Sequence, residues 1–224
     1  MSRELWTEVD EYICKQLLAP DPSLDAAVAA GEAAGLPPIA VTANQGKLLQ
    51  LLVRMRGSRR VLELGTLGGY STIWLARGLP EGGRLVTLEL NPDYAAVARE
   101  NIERAGVSEQ VDLRVAPAQE TLAAMHAAGE EPFDLIFIDA DKQSYPEYLE
   151  WSLKLSRPGT VLIGDNVVRS GGIVDPDNDD KVVAGVRRFY ELLAREPRVD
   201  ATAIQMVGAK GHDGFALGIV TGTR

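Results

Sequence analysis

A chain of 224 residues suits one α/β domain with a short extension, and an apolar share of 46% is enough for a packed core. A formal net charge of −9, with no basic stripe, argues against a nucleic-acid partner. The single cysteine, Cys14, excludes an internal disulfide or a thiolate cluster. The two histidines, His126 and His212, lie far apart, so any metal here must be held mostly by oxygens. No basic n-region with an apolar h-region opens the chain and no apolar stretch reaches membrane length, so a cytoplasmic protein without membrane contact is expected.

One domain is expected over 1–224, with 1–40 a helical extension and 41–224 the core. Leu5, Val9, Ile13 and Leu17 recur every four residues, which predicts an amphipathic helix packed on the core or on a partner subunit. Cys14 on that helix reads as a buried packing residue. Pro20 and Pro22 end it, an alanine-rich helix runs to about Gly35, and Pro37-Pro38 break the chain again. Thr42 or Asn44 then caps a helix carrying Leu48, Leu49, Leu52 and Val53.

From Val61 onward strands and helices alternate. Val61-Leu-Glu-Leu64 runs into Gly65-Thr-Leu-Gly-Gly69 and then an apolar helical pattern: a buried strand, a tight turn and a helix start. Further strands are predicted at Arg84–Glu89, Val111–Val115, Asp134–Asp139 and Thr160–Gly164. Helices are predicted from Pro92, over Pro117–Ala128, over Pro146–Leu155 and around Val182–Ala194. Two last segments, Thr202–Val207 and Phe215–Thr221, joined by Gly208–Gly214, can only pair antiparallel. The pattern is that of a seven-stranded, mostly parallel Rossmann-like methyltransferase sheet with an antiparallel finish and helices on both faces.

In open parallel sheets, ligands sit at the carboxyl ends of the strands. Glu63, beside the first turn, would repel a pyrophosphate, which disfavours a nucleotide-dependent oxidoreductase. It suits a ligand with a cationic or hydroxyl-rich face, and S-adenosylmethionine carries both. Glu89, about 20 residues past the glycines, stands where an acid accepts ribose hydroxyls. Ala116-Pro117-Ala118 could flank a flat adenine. Asp139 and, one strand over, Asp165-Asn166 form a hard oxygen set suited to Mg²⁺, with Mn²⁺ or Ca²⁺ possible. Lys142 stands beside that set, where a divalent charge and partial burial would each ease its deprotonation and let it act as a base. Asp175, Asp177 and Asp179 mimic a calcium loop, but Asp180 and Val186 occupy positions where Gly and Glu are required, so the run reads as a solvated lid loop, with Gly171-Gly172 as either its hinge or a plain turn.

Taken together, Glu63-Leu-Gly-Thr-Leu-Gly-Gly-Tyr-Ser71, Phe137-Ile-Asp-Ala-Asp-Lys142 and Gly164-Asp-Asn166 resemble the cation-dependent O-methyltransferases, the family of caffeoyl-CoA and catechol O-methyltransferases. The resemblance runs from about Ile39 to the end of the chain. It implies a divalent cation at Asp139, Asp165 and Asn166, and Lys142 as the base, with Asp139 in the catalytic set. It implies S-adenosylmethionine contacts at Val41, Glu63, Gly65, Thr66, Ser71, Glu89, Ala118, Asp139 and Asp141, a small phenolic acceptor with vicinal hydroxyls, and a homodimer. Plant members usually have Thr where Gly68 stands and a hydroxyl residue where Val41 stands. They also have a Trp-Asn pair near Arg169 and Ser170; the acidic loop here is a poor partner for a CoA phosphate. A metal-independent methyltransferase and a protein that binds S-adenosylmethionine without turnover are the competing readings.

Overall fold

A computed structural model describes residues 2–222. The elements run α1 (Arg3–Leu17), α2 (Pro22–Ala33), α3 (Ala43–Arg56), β1 (Arg60–Leu64), α4 (Tyr70–Ala76), β2 (Arg84–Glu89), α5 (Pro92–Arg104), β3 (Val111–Val115), α6 (Ala118–Ala127), β4 (Leu135–Ile138), α7 (Tyr145–Lys154), β5 (Val161–Asp165), α8 (Lys181–Arg195), β6 (Val199–Gly208) and β7 (Gly211–Val220). The seven strands form one sheet in the order β3-β2-β1-β4-β5-β7-β6. All neighbours are parallel except those of β7, which runs against both β5 and β6. The direction of strand addition reverses at β1, so a crevice opens at its carboxyl end beside β4.

Side chains alternate across a strand, so β1 feeds two cores. Leu62 and Leu64 join Leu88, Ile136, Ile138 and Leu162 under α6, α7 and α8. Val61 joins Leu85, Leu135, Phe137 and Ile163 under α3, α4 and α5. On that second face α3 and α4 approach until a Cβ on Gly46 would lie 2.3 Å from the Trp74 ring, so glycine is needed there. Thr42 caps α3 through a hydrogen bond from Gln45 N, and Asp134 anchors the base of the sheet by accepting from Arg59 N at 2.8 Å and Arg60 N at 3.0 Å.

Two expectations are corrected. The loop predicted over Gly208–Gly214 shrinks to a two-residue hairpin tip, Ala209-Lys210, and Gly211–Gly214 belong to β7. Gly214 does not turn the chain: a Cβ there would meet Ile204 O at 2.2 Å, so glycine permits close strand contact. The second correction concerns α1, none of whose residues is buried. Leu5, Val9, Tyr12, Ile13 and Leu17 are exposed, so α1 does not cover the core of its own chain. Polar contacts dock it instead: Asp10 accepts from Ala209 N at 2.8 Å and from Asn44 Nδ2 at 3.2 Å. Cys14 is half-buried, with Sγ 3.2 Å from Asn44 Oδ1, rather than packed in the core. Among the described residues no helix is long and apolar enough to cross a membrane.

The first turn depends on Gly65, whose φ of +98° suits glycine and whose added Cβ would lie 2.4 Å from Asp139 O. Backbone cannot yield there as a side chain could. Gly65→Ala is expected to destabilise the fold by about 2–4 kcal/mol, combining overpacking with a strained φ. A urea midpoint indistinguishable from that of the parent protein would contradict this account of the turn.

Candidate active site

The crevice at the strand ends opens into a cavity of about 1040 Å³. That lies at the top of the range of ligand pockets, roughly 300–1,000 Å³, and leaves room for two ligands side by side. Most of the predicted site residues line it. Val41, Gly65, Thr66 and Ser71 form the wall near β1, while Glu89 and Ala118 stand at the β2–β3 side. Asp139, Asp141, Lys142 and Asn166 line the part over β4 and β5.

Glu63 is placed differently. It does not border the cavity and is fully buried behind it. Its Oε1 accepts from Ser71 Oγ at 2.6 Å, and its Oε2 from Thr72 Oγ1 at 2.6 Å and Thr87 Oγ1 at 2.7 Å. Thr66 Oγ1 lies 2.6 Å from Thr87 Oγ1 and extends the network to the cavity wall. Burial pushes the Glu63 carboxyl from 4.5 up to about 7, against the pull of the three hydroxyls. Glu63 therefore shapes the wall through Ser71 and Thr66. Glu63 does not meet a pyrophosphate in the cavity directly: it does not border the cavity, and Ser71, Thr72 and Thr87 donate to its two oxygens.

Glu89 is held more openly. Its Oε2 accepts from Leu67 N at 2.8 Å and its Oε1 from Asn91 N at 2.9 Å, which fixes the carboxylate at the cavity edge with lone pairs to spare for hydroxyl donors. Leu67 holds a φ of +50°, so the chain accepts a left-handed residue to aim that N–H. Asp141 accepts from Tyr148 OH and Ser144 Oγ, each at 2.5 Å. Burial works against its charge, but these donors hold it below the usual carboxylate range.

Asp139 and Asp165 stand on neighbouring strand ends; Asp139 borders the cavity, whereas Asp165 is buried and does not. The β4–β5 register pairs Ile138 with Gly164, so the two acids follow on neighbouring strand ends. Tyr145, fully buried, sets its hydroxyl 2.8 Å from both Ile138 O and Asp165 O and ties those ends to one another. Asp165 is buried, and burial together with the Asp139 charge pushes its carboxyl up to about 7, with Lys142 opposing. Asn166, at φ +53°, donates its N–H to Asp165 Oδ1 at 2.8 Å and lines the cavity. Asparagine tolerates that left-handed geometry better than most residues. Lys142 Nζ sits 2.7 Å from Asp139 Oδ1 and 3.1 Å from Ala140 O, with its charge over the Tyr145 ring at 5.0 Å. Among the described residues no group of three His, Cys, Asp or Glu side chains could hold a metal ion; Asn166 adds an amide side chain next to the two acids. Two crowded carboxylates with an amide carbonyl beside them are a donor set that fits a hard divalent cation.

The remaining expectations fall outside this centre. His126 is exposed, and His212 bonds Gln205 at 3.0 Å away from the cavity. The acidic loop is tied down: Arg187 donates to the carbonyls of Ile173, Asn178, Gly172 and Asp175, which argues against a freely hinged lid at Gly171-Gly172. Sequence reasoning missed Tyr145, because a tyrosine at the start of a helix reads as core, and Lys210, because a lysine in Gly208-Ala-Lys-Gly211 reads as part of a solvated turn.

Residues 22–217 match the O-methyltransferase family. A catechol O-methyltransferase of Niastella koreensis is 50% identical over 220 residues, covering 98% of this chain and 100% of the relative. The crystal structure of an O-methyltransferase from Bacillus cereus in complex with SAH superimposes with a TM-score of 0.97 at 55% identity, covering 98% of this chain and 100% of the other. That of the O-methyltransferase TomG from Streptomyces achromogenes, involved in tomaymycin synthesis and in complex with SAM, gives 0.95 at 50% identity, covering 99% and 100%.

The Glu63 environment makes stability pH-dependent in a defined direction. Its pKa is raised on folding, so the folded state binds the proton more tightly than the unfolded state between about 4.5 and 7. The stability it contributes is complete below that window, falls as pH rises through it, and is flat above. The span is about 3 kcal/mol. Urea midpoints at pH 5 and pH 8 are expected to separate more for the parent protein than for Glu63→Gln, which lacks the titrating group. Parallel pH profiles for the two proteins would contradict this.

Proposed function

This chain belongs to the O-methyltransferase family and is an S-adenosylmethionine-dependent O-methyltransferase; from that premise we propose that its acceptor is a small phenol with vicinal hydroxyls, methylated with the help of a divalent cation. The observation that carries the proposal is the Asp139–Asp165 pair, crowded at adjacent strand ends with Asn166 and Lys142. The catechol O-methyltransferase name of the Niastella koreensis relative supports the acceptor class.

Sheet order supports the following layout of the reaction across the cavity. The adenosine half of the donor lies toward Glu89 and Ala118, where the Glu89 carboxylate accepts ribose hydroxyls. The methionine half lies toward Val41, Gly65 and Ser71. Asp139, Asp165 and Asn166 would hold the cation; magnesium suits the set best. When bound, such an ion supplies the positive charge that makes an acceptor hydroxyl more acidic. Lys142 acts from its neutral amine form, takes the hydroxyl proton and becomes the ammonium. Its side chain is only 10% exposed and its Nζ is aimed by Asp139 and Ala140, so its position is fixed and bulk water is kept off. The acceptor oxygen then attacks the methyl carbon; the carbon–sulfur bond breaks and the sulfonium becomes a neutral thioether. Opposite charges are neutralised in that step, so a dry cavity favours it, and alignment of oxygen, carbon and sulfur supplies much of the acceleration. The exposed apolar face of α1 supports the further proposal that two copies of the chain associate through it.

A labelled-methyl transfer assay on catechol tests this reading. Activity is expected to vanish in excess chelator and to return with Mg²⁺; full activity in chelator would contradict the cation. Lys142→Met is expected to lower kcat by about 10²–10⁴-fold while leaving the KM for S-adenosylmethionine within about twofold. An unchanged kcat would remove Lys142 from the proton transfer.

A further inference from the structure

Two cavity cations are not used by the mechanism above, and one of them lacks a carboxylate partner among the described residues. Lys142, Arg169 and Lys210 are the cationic side chains lining the cavity among the described residues. Lys142 is paired with Asp139 at 2.7 Å, and Arg169 faces Asp213 at 3.6 Å. Lys210 has no carboxylate within ion-pair distance among the described residues. Its Nζ donates to Pro38 O at 3.1 Å and to Ala40 O. Carbonyl oxygens orient an ammonium without cancelling its charge, and an ammonium with two such partners keeps a third donor.

The position of Lys210 is built. It sits at the two-residue tip between β6 and β7, and α1 grips the same tip: Asp10 accepts from Ala209 N at 2.8 Å and Arg3 donates to Ala209 O at 3.2 Å. The contact is close enough that a Cβ on Gly208 would come within 2.5 Å of Asp10 Oδ2. Sheet order places this tip beyond β5, on the side away from β2 and β3. Lys210 thus stands past the carboxylate pair, at the end of the cavity opposite Glu89. Partial burial lowers its pKa, and Asp139 and Asp165 oppose that shift, which puts its ammonium within electrostatic reach of the pair.

We propose that Lys210 selects the acceptor: its ammonium receives a carboxylate carried on the dihydroxyphenyl ring, so that the enzyme takes anionic diols in preference to neutral or cationic ones. The proposal rests on the diol reading above and narrows it. An acceptor whose hydroxyls meet Asp139, Asp165 and Asn166 extends its ring toward the β7 side, where an unneutralised positive charge attracts a carboxylate and repels an amine.

The test is steady-state kinetics of the full chain with S-adenosylmethionine and Mg²⁺ on three acceptors of one shape: a benzoate with adjacent hydroxyls, its methyl ester and the corresponding benzylamine. The parent enzyme is expected to rank them acid, ester, amine in kcat/KM. Lys210→Met is expected to lower kcat/KM for the acid by about 10- to 100-fold while changing the ester by no more than about twofold, and Lys210→Arg to keep the ranking. An equal loss on all three acceptors, a loss confined to the KM for S-adenosylmethionine, or a parent enzyme indifferent to acceptor charge would overturn the role of Lys210. Turnover of none of the three would overturn the diol reading itself.

Discussion

Two carboxylates at neighbouring strand ends repel each other, and much of the local structure serves to hold Asp139 and Asp165 in that position. Parallel pairing of β4 with β5 sets the register, and the Tyr145 hydroxyl, 2.8 Å from the carbonyls of Ile138 and Asp165, keeps the ends from splaying. The Asn166 N–H and the Lys142 ammonium each face one of the two acids. These contacts do not neutralise the pair, and Asp165 is left with its proton affinity raised to about 7. A site that keeps like charges close and under-compensated is suited to a cation.

Two residues short of the pair's level, β1 carries a third acid in different surroundings. Glu63 is one strand away from the pair, yet three hydroxyls surround it and no cavity reaches it. Through Ser71, and through Thr87 to Thr66, its hydrogen bonds fix that stretch of the cavity wall. Glu89, one strand further, is oriented by backbone N–H groups and remains open to the cavity. These four carboxylates thus differ in what surrounds them.

That difference explains what could be read from the sequence. Period and glycine placement located β2 and β3 to the residue, and strand-end logic located Asp139, Asp165, Asn166 and Lys142, because those features depend on local spacing. The burial of Glu63 was not legible, since it depends on Thr87 from the neighbouring strand and Thr72 from α4. The hairpin of β6 and β7 extends beyond the sequence expectation because Gly214, which resembles a turn residue, instead lets the Ile204 carbonyl approach closely. The exposed face of α1 carries the same periodicity as a buried one, and no pattern within a single chain separates the two.

The central claim is that Asp139, Asp165 and Asn166 form one cation site. Titration of Mn²⁺ into the protein saturated with S-adenosylhomocysteine, followed by calorimetry or by loss of the free-ion paramagnetic resonance signal, measures it without turnover. The account predicts one bound ion per chain for the parent protein and a loss of affinity of about 10-fold or more in a folded Asp165→Asn variant. Equal binding by both proteins, or none by the parent, would contradict it.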